Sequence, residues 1–117
     1  MKSLFVLNDP PYGSERVYNG LRLAGVCSRA TRMDRSRSFL VGDAVTGATR
    51  GQKTPGGYCN VERMLHRVVV GKGQVLVCGS CMDARGIMQG QLMEGARRSS
   101  MDELGAATLA ADKVLVF

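Results

Sequence analysis

Apolar residues along this chain fall in short blocks, and the blocks alternate between continuous runs and helical spacing. Ser3-Leu4-Phe5-Val6-Leu7 is apolar almost throughout, which predicts a strand buried on both faces. Asn8-Asp9-Pro10-Pro11-Tyr12-Gly13 then predicts a loop, because Pro cannot continue a central strand and Gly13 frees the backbone. Ser14 is placed to cap a helix with Glu15 in its first turn. Val17, Leu21 and Ala24 recur at helical spacing and carry that helix to about Val26. From Cys27 to Ser38 the pattern fades, and Arg29, Arg32, Arg35 and Arg37 predict a helix end and an exposed loop. Ser38-Phe39-Leu40-Val41 is a second short strand, stopped by Gly42-Asp43. Ala44 to Gly57, rich in Gly and Thr and carrying Pro55, predicts a long loop with about one helical turn. Loops of that length in small domains are usually functional or mobile.

The alternation continues in the second half. Asn60 can cap a helix whose stripe is Val61, Met64, Leu65 and Val68, and Gly71 and Gly73 close it. Val75-Leu76-Val77 is the next buried strand, and it ends at Cys78. Ile87 to Leu92 predicts a short helical or irregular piece, and Met93 to Ala96 a small strand. Ser100-Met101-Asp102-Glu103 has the form of a capping box before Leu104, Ala107, Leu109 and Ala111. Lys113 to Phe117 is the last strand. Strands that alternate with helices predict an α/β fold, with a mainly parallel sheet of about five strands covered on both faces. At 117 residues the natural count is a single domain over 1–117. A chain this small gains from self-association, so a homo-oligomer is expected.

Composition narrows the function classes. The hydrophobic share is 44% and the charged share 22%, both ordinary for a soluble protein. Sixteen Lys and Arg against ten Asp and Glu leave a formal charge of +6, which permits an anionic partner but is also what a solvated basic face looks like. Three Tyr, three Phe and no Trp are too few for an aromatic base-stacking platform, which argues against direct nucleic-acid binding. No apolar run approaches the roughly 20 residues that span a bilayer. Leu4 to Leu7 is too short for a secretory segment, so the expected compartment is the cytoplasm, where thiols stay reduced.

The chemistry concentrates in Cys78-Gly79-Ser80-Cys81-Met82-Asp83-Ala84-Arg85-Gly86. Two thiols and a charged pair follow a strand end, where open α/β sheets keep their ligands. Cys78 is the candidate nucleophile. Cys-x-x-Cys also suits thiol–disulfide exchange with Cys81 or half of a zinc site, or it is a pair of inert thiols. Zinc is disfavoured, since Cys27, Cys59 and His66 show no paired spacing. Arg85 can lower the pKa of a nearby thiol and bind an anionic sulfur group, and Asp83 can orient Arg85 or cap the following turn; alternatively they are a surface ion pair. Asp9, Tyr12, Gly13, Asp43 and Gly79 are the candidate substrate-binding positions, lining one rim if their strands are neighbours. Asp9 and Asp43 are equally plain turn formers, and no Gly-x-Gly-x-x-Gly dinucleotide fingerprint occurs.

With these residues in view, the chain resembles the DsrE/DsrF-like family of small sulfur-relay proteins. The resemblance is carried by Asn8 to Ser14, by Phe39-Leu40-Val41-Gly42-Asp43-Ala44-Val45, by Val77-Cys78 with Arg85-Gly86, and by Asp112 to Phe117. It implies a three-layer α/β/α, flavodoxin-like fold assembling as trimers or hexamers. It also implies that the relay nucleophile falls on Cys78, which would accept and pass on sulfur as a persulfide as a sulfurtransferase or sulfur carrier. The implied partners are sulfur donor and acceptor proteins. No metal or organic cofactor is called for, because exchange at sulfur needs only a good nucleophile and access. Cys81 is extra relative to single-cysteine relay members. It keeps open a redox role for the Cys78–Cys81 pair, beside that of a non-enzymatic oligomeric module binding a small ligand.

Overall fold

The computed structural model describes residues 2–30 and 36–117. Five strands form one parallel sheet in the order 4-3-2-1-5. They are β1 (Ser3–Leu7), β2 (Arg37–Leu40), β3 (Gln74–Cys78), β4 (Ala96–Ser99) and β5 (Lys113–Val116). The helices are α1 (Arg16–Ala30), α2 (Val61–Val70), α3 (Gly79–Ala84) and α4 (Met101–Ala110). Single-turn or short 3₁₀ segments occupy Gly42–Ala48, Pro55–Gly57 and Gln89–Gln91.

Handedness explains the layers. From β1 to β4 the chain steps one way across the sheet, so right-handed crossovers place α1, α2 and α3 on one face. The return to β5 crosses to the far edge and places α4 on the other face. The side chains agree. Leu7 approaches Gly20 of α1, whereas Arg97 and Ser99 of β4 bond Glu103 of α4. Leu7, Leu40 and Val77 point to the α1/α2 layer, and Leu4, Phe39 and Leu76 to the α4 layer, all of them buried. Each such side chain contributes about 1.5–3 kcal/mol of burial. The result is the expected three-layer α/β/α fold.

Several local expectations shift. Helix α1 starts at Arg16, so Glu15 lies before it, and Ser14 accepts from the Arg16 amide at 3.3 Å. The helix runs past Val26 to Ala30, since Arg is a good helix former and Arg29 suits a helix C-terminus. Of the expected loop after it, 31–35 lie outside the described residues. Asn60 caps α2, accepting from the Arg63 amide at 3.0 Å. The small strand expected at Met93–Ala96 is instead Ala96–Ser99. Leu92 and Met93 are core residues of the preceding turn, and Gly95 at φ 92° redirects the chain before the strand. Ser100 caps α4 by accepting from the Glu103 amide at 3.2 Å, but the box is half-made. The Glu103 carboxylate is taken by Arg97 at 2.9 Å and by Ser99.

Candidate functional site around Cys78 and Cys81

Strand β3 delivers Cys78 to the carboxyl edge of the sheet, and α3 starts at the next residue. Cys78 is therefore both the last strand residue and the cap of α3. Its Sγ accepts from the Cys81 amide at 3.4 Å and lies 3.4 Å from the Ser80 hydroxyl. Only 4% of Cys78 is exposed, while Cys81 is half-buried and Ser80 exposed. The two are not joined by a disulfide.

The two thiols are not equivalent. Burial pushes the Cys78 thiol up, but hydrogen bonds from the Cys81 thiol, the Ser80 hydroxyl and both amides outweigh it and bring it below its ordinary value. Cys81 moves the other way: burial and its bond to Cys78 raise it, against the Gly42 amide and the Arg85 charge. The two shifts are thus opposite, with Cys78 below and Cys81 above the ordinary thiol value.

Neighbouring strands complete the setting. The chain leaves β2 through Gly42, whose amide donates to Cys81 Sγ at 3.2 Å. Gly42 sits at φ 57°, and a Cβ there would come within 3.1 Å of Asn8 Oδ1, so this approach favours glycine. Arg85 donates to Cys81 O at 3.0 Å and doubly to Asp43 Oδ1 at 2.9 and 2.7 Å. The geometry redraws the expected charge pairing. Arg85 serves Cys81 and Asp43, whereas Asp83 pairs with Arg98, both bonds at 2.7 Å. Those bonds hold the Asp83 carboxyl below its usual range. Arg98 lies across the Gly79 backbone, where a Cβ would meet its guanidinium at 2.7–2.9 Å. From there its charge and a Cys78 thiolate favour one another.

Cys78, Gly79, Cys81, Asp83, Arg85 and Asp43 thus come together. The other candidate positions are engaged elsewhere. Asp9 accepts from Ser14 at 2.6 Å and lies 3.8 Å from Arg16. Tyr12 bonds Gln52 and accepts from the Val61 amide at 3.1 Å, tying the first loop to the start of α2. Gly13 closes against Pro10 in the same loop. Among the described residues no three His, Cys, Asp or Glu are arranged to hold a metal ion, and no helix is long and apolar enough to cross a membrane.

The family model for DsrE/DsrF-like proteins matches residues 1–117. The chain belongs to the DsrE/DsrF-like family. It is 42% identical to Protein YchN of Escherichia coli (strain K12), over 99% of this chain and 98% of that protein. It is 32% identical to the uncharacterised protein MJ0989 of Methanocaldococcus jannaschii over the full length of both. The crystal structure of the E. coli YchN protein superposes with a TM-score of 0.94 at 41% identity, covering 100% of this chain and 99% of that one. In this DsrE/DsrF-like chain, three contributors were not singled out from the sequence. Ser80 stands in the sequence only as a member of the Cys78–Gly86 segment, Gly42 only as a strand stop, and Arg98 gives no signal because its partner Asp83, on α3, is visible only once β4 is placed.

Proposed function

We propose that this protein is a sulfur carrier that accepts sulfur as a persulfide on Cys78 and passes it on. The observation that supports this most is the asymmetry of the two thiols: Cys78 is the more acidic, and its donors are already in place. Family membership supplies the relay context. The Cys78 thiolate attacks the outer sulfur of a donor persulfide. A bond forms between Cys78 Sγ and that sulfur, the donor's S–S bond breaks, and the electron pair leaves with the donor as its thiolate. Discharge is the same exchange with an acceptor thiolate attacking the outer sulfur. The Cys81 thiol, the Ser80 hydroxyl and Arg98 are the groups available to stabilise the anion at Cys78.

One observation favours a second reading. Cys81 is within hydrogen-bonding reach of Cys78. Its thiolate attacking Cys78 Sγ in the persulfide would form a disulfide and expel hydrosulfide. The upward shift of the Cys81 thiol opposes its ionisation, which supports the carrier over the redox reading.

Assembly is part of the proposal. The face bearing α4 leaves Met101 (66%), Leu109 (90%) and Val116 (67%) exposed. We assign this face to contacts between copies, in the trimer or hexamer implied by the family. The proposed setting is cytoplasmic, with sulfur donor and acceptor proteins as partners. The test of the carrier is intact mass after exposure to glutathione persulfide. The wild type gains one sulfur atom, and Cys78→Ser gains none. Full loading of Cys78→Ser overturns the assignment.

A further inference from the structure

A second feature lies away from the thiols, in the groove between α1 and α2. It encloses about 750 Å³, within the usual 300–1,000 Å³ of small-molecule sites. Its lining includes Arg22 and Arg29 from α1, Arg63 and Arg67 from α2, and the rings of Tyr18 and Tyr58. No carboxylate is among its described lining residues. The four ion pairs formed among the described residues engage Arg16, Arg85, Arg97 and Arg98, and none of these groove arginines. Four of the chain's sixteen Lys and Arg are thus gathered here, outside the ion pairs formed among the described residues.

The arrangement is ordered. Both helices run back from the carboxyl edge of a parallel sheet, so they lie side by side in one direction. Arg63 and Arg67 are one helical turn apart, about 6 Å along the axis, and project on the same side. Like charges so spaced disfavour a helix unless something anionic sits between them. Arg63 lies across Gly57, where a Cβ would come within 2.5 Å of its Nη1. At the same end Arg22 stands 5.5 Å over the Tyr18 ring, and Tyr58, which lines the same groove, is 73% exposed. An exposed ring therefore adjoins a row of guanidinium forks. Arg63 and Arg67 also line the cavity on the other flank of α2, where Glu62, His66 and Glu94 stand; Glu62 is engaged there by the Gln52 amide at 2.9 Å.

We infer that this groove binds a small phosphorylated ligand bearing an aromatic ring, of the size of a mononucleotide. Guanidinium forks match phosphate oxygens two at a time, and the tyrosines offer a face to the ring. Helix α2 is ten residues long, about 15 Å, which limits the row to one short polyphosphate. None of the groove residues belongs to the segment from Cys78 to Arg85, so occupancy does not depend on sulfur loading.

The experiment is calorimetric titration of the full-length protein with ATP, inorganic tripolyphosphate and adenosine. Saturable binding of ATP and tripolyphosphate is expected, with ATP the tighter. The Arg63→Gln/Arg67→Gln double variant should weaken both at least about tenfold. Tyr58→Ala should weaken ATP alone, while Lys113→Gln and Cys78→Ser should bind as the wild type does. Circular dichroism and unchanged persulfide loading in the double variant separate loss of the site from loss of the fold. Three results overturn the inference: no saturable binding of ATP or tripolyphosphate at millimolar concentration, undiminished binding by the folded double variant, or tighter saturable binding of a single-stranded RNA or a polyglutamate peptide.

Discussion

Ser80→Ala isolates one hydrogen bond at the proposed nucleophile. The hydroxyl lies 3.4 Å from Cys78 Sγ, and its donation is one of the contacts that lower the thiol's pKa against the opposing effect of burial. Hydrogen bonds to charged groups contribute about 1.5–3 kcal/mol. The long sulfur distance and the exposed hydroxyl place this one at the lower end. About 1.5 kcal/mol corresponds to about tenfold in thiolate fraction at a pH below the thiol pKa. A more basic thiolate is also a better nucleophile, with a Brønsted slope of about 0.4–0.5, which returns about threefold. The net expectation is a three- to fourfold slower alkylation of Cys78, by about these slopes, near neutral pH. The difference should vanish or reverse at high pH, where both proteins are thiolates. Ser and Ala differ little in an exposed first helical turn, so stability should change by less than about 0.5 kcal/mol. The assay is iodoacetamide labelling against pH, quantified on the peptide holding Cys78. An unchanged pH–rate profile in a folded Ser80→Ala protein would refute the reasoning.

Other perturbations probe other parts of the account. Gly79→Ala places a Cβ 2.7 Å from Arg98 Nε; the guanidinium must swing away, so alkylation of Cys78 should slow as it does in Arg98→Gln, while the melting temperature stays near wild type. Glu103 is held down to about 2, first by Arg97 and then by Ser99. A depressed carboxylate pKa contributes stability that is present above its unfolded value and lost as pH falls, here between about 4.5 and about 2. With Glu103 36% exposed, screening limits the contribution to about 1 kcal/mol, and Glu103→Gln should flatten acid unfolding over that window in urea titrations. Leu109→Glu on the exposed α4 face should convert the proposed oligomer to monomer in sedimentation velocity without changing the circular dichroism spectrum. Cys27→Ser and Cys59→Ser should load sulfur like wild type in the intact-mass assay.

How much of this was legible in the sequence depends on whether a residue's role is local. Strands β1 and β3 were readable because unbroken apolar runs have few other folded explanations. The Asn60 cap was readable because an N-cap bond reaches only three residues ahead. Strand β4 was misplaced because its sequence, Ala96-Arg97-Arg98-Ser99, has no apolar alternation; its arginines are held by Glu103 on α4 and Asp83 on α3. The same non-locality hid Arg98 and assigned Asp83 to Arg85, its sequence neighbour. Glu103 showed the limit of motif reading: its amide bonds Ser100 as a capping box requires, while its carboxylate finds a stronger cationic partner. The place of Cys78 at the strand end was legible because the apolar run Val75-Leu76-Val77 stops there, at the edge where parallel sheets keep their ligands.

The most direct test of the central claim is peptide mapping of the two thiols after a single turnover with glutathione persulfide. The account predicts one added sulfur atom on the peptide at Cys78, an unmodified thiol at Cys81, and transfer of that sulfur to an added acceptor thiol. Cys81→Ser should preserve or prolong the loaded state. Sulfur carried at Cys81 with Cys78 untouched, or a Cys78–Cys81 disulfide formed with release of hydrosulfide as the main product, would contradict it.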